Sequence, residues 1–186
     1  MKPMTPTRVT NRSVLEEFNR YADARWIERS RSLSPAAYRW MKRRIARGLR
    51  FGVAARVEDS RGRILLVRMN PKSAWTRNWV TPGGGGKPQE NPRDAILREI
   101  REEASVRVRN LRLWKVYHES LRTHGDGGLR WDSVQYTALR AEGRPRSQVP
   151  SEIAAARWFS RLPKNTEFRE DWLRPPRDRL QGGPLR

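Results

Sequence analysis

Between Gly83 and Val106 the chain places four consecutive glycines, an isolated glutamate and then three glutamates at helical spacing, and few folds can accommodate that order. Apolar spacing, with Pro92 at the start, predicts a helix over 92–104. Glu99, Glu102 and Glu103 stand there at i, i+3 and i+4, so their carboxylates share one face. Like charges at that spacing destabilise a helix by roughly a few tenths of a kcal/mol per pair. The chain carries 40 Lys and Arg against 20 Asp and Glu, so local acid is not a by-product of an acidic composition. A hard divalent cation would remove the repulsion, since Mg²⁺ takes oxygen ligands and keeps waters that phosphate oxygens can replace. Arg98 lies on an adjacent part of the helix, able to tie down Glu90 from the preceding loop. The glycines let backbone approach phosphate or metal closely, with no Cβ between. The competing reading is a solvated helix laced with Arg–Glu pairs. It explains less, because Arg98/Glu102 attracts while Glu99/Glu103 repels.

Around this segment the pattern alternates between helix and strand. Ser13 and Glu16 have the form of a capping box, and Leu15, Phe18, Ala22 and Trp26 follow at helical spacing, predicting a first helix over 13–29. Ser34-Pro35 predicts a second helix start, with Tyr38, Met41, Ile45 and Leu49 on one side. Arg39, Lys42, Arg43, Arg44, Arg47 and Arg50 occupy much of the rest. Strand-like runs cover 51–57 and 63–69, joined by a turn at 58–62. One or two strands are expected over 106–119, a glycine loop over 122–130, a strand over 133–139, a loop over 145–150 and a short strand over 156–159. Residues 1–12 read as loosely attached, and the tail from Glu167 as one short helix before a Gly/Pro ending. No internal repeat is visible, and strands on both sides of a single helix predict α+β packing around a mixed sheet.

The spacing Gly84-x5-Glu90-x7-Arg98-Glu99-Ile100-x-Glu102-Glu103-x-Ser105-Val106 resembles the Nudix box, G-x5-E-x7-R-E-U-x-E-E-x-G-U with U aliphatic, and every charged position matches. Trp79 to Gly84 resembles the lead-in of that family, and Arg157-Trp158-Phe159 its later strand. The likeness covers roughly 51–163. Two positions depart from it. Ser105 stands where the family has a helix-ending glycine, so either it tolerates a left-handed conformation, at about 1 kcal/mol, or the helix ends differently. Lys87 stands where many members carry Glu.

The resemblance implies a Nudix-type α-β-α sandwich with a mixed sheet and the box at the end of that sheet. It implies a domain over 51–165, preceded by a basic helical extension over 1–50 and followed by a tail over 166–186. Carried over position by position, Glu99, Glu102 and Glu103 would hold Mg²⁺ or Mn²⁺ with help from a backbone carbonyl near Gly84, while Glu90 and Arg98 would hold the loop on the helix. The implied reaction is water attack on a phosphoanhydride bond of a nucleoside diphosphate derivative. Metal ions would neutralise developing charge and activate the water, and a carboxylate would complete its deprotonation. Glu99 is one candidate for that base; a loop glutamate, Glu152 or Glu119, is the other.

Outside the box the signals are weaker. His118 reads as a packing residue and His124 as a loop residue within reach of substrate; Asp126 is ambiguous in the same loop. Trp75, Trp79, Trp131 and Trp158 could stack a base, though burial is the commoner fate of an aromatic. The formal charge of +20, mostly Arg, suits polyanionic partners such as nucleotides or RNA, and equally a genome that favours Arg codons. The N-terminal basic helices therefore read as docked on the domain or a second subunit, as an RNA-binding surface, or as Arg bias, with docking favoured by their apolar side chains. Three functions compete: hydrolysis of a free nucleotide, removal of pyrophosphate or a cap from RNA 5′ ends, and an inactive RNA- or ribosome-binding module. The intact glutamates weigh against the last. With no Cys, no apolar run of membrane length and no secretory signal, the expectation is a cytoplasmic protein without disulfides, and a homodimer is common among similar proteins.

Overall fold

A computed structural model of the chain describes residues 11–72, 76–124 and 126–167. Among them the order is α1 (Arg12–Phe18), β1 (Arg25–Ser32), α2 (Pro35–Ala46), β2 (Gly52–Asp59), β3 (Ile64–Met69), β4 (Trp79–Val80), β5 (Gly83–Gly85), α3 (Pro92–Ala104), β6 (Arg107–Thr123), β7 (Asp126–Glu142) and β8 (Ile153–Phe159). The strands form one mixed sheet in the order β1-β6-β7-β2-β3-β4, with β5 on β2 and β8 on β3. The β1/β6 and β2/β7 pairs are parallel; β6/β7, β2/β5 and β3/β8 are antiparallel.

Helices flank this sheet on both faces. Ala95, Ile96, Ile100 and Ala104 form the apolar stripe of α3 and join Val14 of α1 and Val53, Ala55 and Val57 of β2 in the main core. Asn91 caps α3 by accepting from the Asp94 amide at 2.9 Å, and Pro92 sits where its missing N–H is not needed. On the other face α2 packs over β6, with Tyr38 buried and Met41, Ile45 and Leu49 half-buried. Ser34 caps it through the Ala37 amide, as its sequence predicts. The predicted α-β-α arrangement is therefore present. No helix among the described residues is long and apolar enough to cross a membrane.

The predicted first helix is corrected in two ways. It ends at Phe18, and its cap is Asn11, which accepts from both the Ser13 amide (2.9 Å) and hydroxyl (2.8 Å). Residues 25–29, expected as the end of that helix, instead belong to β1, which pairs with β6 from Arg25↔Lys115 to Ser32↔Arg122. The helical spacing of Trp26 is outweighed by its neighbours: Arg29 donates to the buried Glu119 at 2.7 Å, and Trp26 stacks on His118 at 5.7 Å. The N-terminal extension is thus not wholly helical. The expected loop at 122–130 is also corrected, because β6 and β7 continue through it until Thr123 pairs with Asp126. The expected helix after Glu167 and residues 1–10 of the expected loose segment 1–12 lie outside the described residues, while Asn11 and Arg12 of that segment are the cap and first residue of α1.

Candidate active site

The glycine run threads between the two helical layers. Successive residues of β5 point to opposite faces. A Cβ on Gly84 would collide with the Glu99 carboxylate of α3, and a Cβ on Gly85 with Leu49 just beyond α2. Only glycine permits both approaches. The Glu103 carboxylate closes the same turn by accepting from the Gly83 amide at 2.9 Å. Glu99 and Glu103, one helical turn apart, therefore both rest on the Gly83–Gly84 backbone.

Arg98 ties the loop to the helix. Its guanidinium donates to both oxygens of Glu90, at 2.9 and 3.0 Å, and to the Gly85 carbonyl at 3.0 Å. Its remaining nitrogen donates to Glu99 at 2.8 Å and to Glu102 at 3.1 Å. These hydrogen bonds hold the Glu90 carboxyl below its ordinary range. Glu99 is pushed upward by burial, against the pull of Arg98. Glu103 is pushed up well above the usual carboxylate range by burial first, and then by the charges of Glu99, Glu152 and Glu102. The α3 C-terminus ends at Ser105 with φ 55° and ψ 23°, the left-handed conformation its position requires.

The carboxylates do not converge on one point as they stand, and no group of three or more acidic, His or Cys side chains among the described residues is gathered tightly enough to hold a metal. Arg98 acts as the counter-cation of Glu99 and Glu102 instead. The donor set still fits a hard divalent ion. All three groups are oxygen donors, and a cation would offset the charges of Glu99, Glu152 and Glu102 that act on Glu103. A cation would have to draw Glu102, 36% exposed, away from Arg98, which keeps Glu90 and the Gly85 carbonyl.

The other sequence candidates are sorted by their surroundings. Glu152 is exposed and close enough to Glu103 to raise its proton affinity. Glu119 is not available as a base, being buried and bound to Arg29, Arg31 and Ser133. His118 is buried, with its Nδ1 2.7 Å from Asp132 Oδ1, as a packing residue would be. His124 is exposed beyond the end of β6. Trp79 packs with Ile64, Leu66 and Phe159; Trp131 is buried, and Trp158 donates to the Gly143 carbonyl at 3.2 Å. Trp75 lies outside the described residues. Trp40, which its sequence position did not single out, is the exposed large aromatic among the described residues. A cleft of about 550 Å³ along the next face of α3, lined by Asp94, Leu97, Arg101 and Gln148, touches the acidic ridge that Glu99, Glu102 and Glu103 form on α3 only through their partner Arg98.

Comparison with known proteins places this fold in a family. The NUDIX domain family model matches residues 48–170. The chain is 38% identical over 61 residues to diphosphoinositol polyphosphate phosphohydrolase 2 of Mus musculus, a match covering 33% of this chain and 32% of that protein. The chain thus spans about a third of the length of these relatives. CTP pyrophosphohydrolase of Escherichia coli (strain K12) is 27% identical over 113 residues, covering 48% of this chain and 84% of that protein. Among solved structures, a MutT NUDIX hydrolase from Burkholderia pseudomallei matches with a TM-score of 0.50 at 28% identity, over 63% of this chain and 89% of the other.

Proposed function

This chain belongs to the NUDIX domain family, and on that footing we propose that it is a divalent-metal-dependent hydrolase of a phosphoanhydride bond in a nucleoside diphosphate derivative. One observation carries the reading: Glu99 and Glu103 both lie against the Gly83–Gly84 backbone, so two candidate acidic ligands meet a stretch of chain with no side chains to keep a phosphate away. The similarity to pyrophosphohydrolases supports the same reaction class.

In this proposal Glu99, Glu102 and Glu103, with the carbonyl of Gly84, hold Mg²⁺ or Mn²⁺, which would neutralise phosphate charge and make the attacking water more acidic. Glu90 and Arg98 fix the loop on α3 by their paired hydrogen bonds. Glu99 or Glu152 takes the proton from water as its oxygen bonds to phosphorus and the bridging oxygen departs. Glu152 has the freer carboxylate, since Arg98 holds Glu99. The catalytic unit is residues 51–165, with the N-terminal segment packed on it.

The test is a panel of nucleoside triphosphates and nucleoside diphosphate derivatives with Mg²⁺, Mn²⁺ or EDTA, run on the wild-type chain and on Glu103→Gln. Metal-dependent turnover that Glu103→Gln loses is the expected result. Equal activity in both proteins would refute the assignment. Absence of turnover in the wild type would favour a binding module.

A further inference from the structure

The whole of α2 lies outside the family-matched residues 48–170, yet the chain that leaves it is built into the glycine loop. Arg50 donates its amide to the Gly86 carbonyl at 3.2 Å, and Leu49 fills the space beside Gly85. No acidic residue occurs from Pro35 to Ala46. Arg39, Lys42, Arg43, Arg44, Arg47 and Arg50 are all exposed, while the apolar side of the helix is turned onto the sheet. Trp40 is 40% exposed on this same outer surface, with the Arg44 guanidinium 4.9 Å from its ring centroid.

Arg39, Arg43 and Arg47 follow one another at i, i+4 and i+8 and so form a single ridge. At 1.5 Å per residue that ridge is ~12 Å long, and Arg50 extends it toward the loop. A stacked strand carries a phosphate every ~3.4 Å, so the ridge faces about three or four phosphates, more than one diphosphate supplies. A flat aromatic beside a cationic track is the pairing that holds single strands, with a base on the ring and phosphates on the arginines. A helix that enters a membrane surface presents its apolar face outward, and α2 does the reverse.

We infer that α2 is a platform for single-stranded nucleic acid, with Arg39, Arg43 and Arg47 on successive phosphates and Trp40 under a base, leading a 5′ end toward the acidic ridge of α3. Only the direction of the strand rests on the hydrolase reading; the binding does not.

The test is anisotropy of a labelled 5′-triphosphorylated 12-nucleotide RNA in EDTA, where metal-dependent turnover is off. Arg43→Gln/Arg47→Gln is compared with Arg61→Gln/Arg144→Gln, which removes the same charge at exposed sites beyond the far ends of β2 and β7. The α2 pair should weaken binding at least tenfold and lower the log–log salt slope by about 1.4, at ~0.7 per phosphate contact. The distant pair should change affinity less than twofold. Trp40→Ala should cost about tenfold without changing the slope. Unchanged thermal melts of these surface variants establish folding. Free-nucleotide turnover by the α2 pair, expected at the wild-type level, is scored separately, so the RNA affinities decide the question even if the protein hydrolyses nothing. Equal losses in both pairs, undiminished binding in the α2 pair, or binding to phosphatidylserine vesicles in place of RNA would each overturn the inference.

Discussion

Arg98 holds both oxygens of Glu90 in a paired hydrogen bond across eight residues of chain, with both side chains about 15% exposed. Removing the arginine leaves Glu90, Glu99 and Glu102 without their shared cation. Arg98→Ala should lose about 3 kcal/mol of stability, the scale for breaking a buried pair. Denaturant unfolding measures this, and added Mn²⁺ should recover part of the loss by replacing the missing charge.

The same pair has a pH signature. The folded Glu90 carboxyl lies below its ordinary value of 4.5, so its contribution is fully present above that value and is lost as pH falls through the lower folded one. Unfolding midpoints of wild type and Glu90→Gln should differ at pH ~6, and the difference should shrink as pH falls below 4.5. A constant difference down to pH 3 would show that the charge of Glu90 contributes nothing.

Glu103 works in the opposite direction. Burial holds its proton to higher pH than usual, so a metal must displace that proton. Calorimetric Mn²⁺ affinity should fall on going from pH 8 to pH 6, with protons released on binding. Glu103→Gln removes both effects and should lower turnover by about a hundredfold or more, from the several kcal/mol a metal supplies to the transition state. Its fold should survive, because an amide can still accept from the Gly83 amide.

Gly84→Ala sets a Cβ where the Glu99 carboxylate now lies. The carboxylate is the mobile end of a side chain, so the protein should fold while Glu99 is displaced. Activity should fall about as far as in Glu99→Ala, and the double variant should be little worse than either. Additive losses would mean that the glycine acts on something other than Glu99.

Ser105 holds φ 55°, which a side chain opposes. Ser105→Gly should raise stability by about 0.5–1 kcal/mol and leave turnover unchanged. A fall in melting temperature would indicate that the serine hydroxyl has a role of its own.

How much of the molecule is legible in its sequence depends on whether local spacing or distant pairing sets the outcome. Helix α3 with its start at Pro92, and the Arg98–Glu90 contact, follow from residues close together in the chain and are readable, whereas the Asn91 cap and the left-handed choice at Ser105 are settled by the fold. Strand β1 is not, because Trp26, Arg29 and Arg31 acquire their strand role only when His118 and Glu119 arrive from about 90 residues away. The glycines of 125–128 suggest a loop, yet β7 starts at Asp126 because pairing with β6 outweighs their weak strand preference. Trp40 does not stand out among its charged and regularly spaced apolar neighbours, and only burial separates the exposed indole from the packed ones.

Strand β1 also shields its neighbour. It is the terminal strand among those described, with Arg25 and Glu28 exposed and Arg29 and Arg31 half-buried along it. Such a charged rim discourages further strands from adding, whereas the 17-residue β6 behind it is buried over much of its length. A protein trimmed to the family-matched stretch would expose that long rim bare, and should form fibrils or precipitate while its chemistry, molecule for molecule, stays the same.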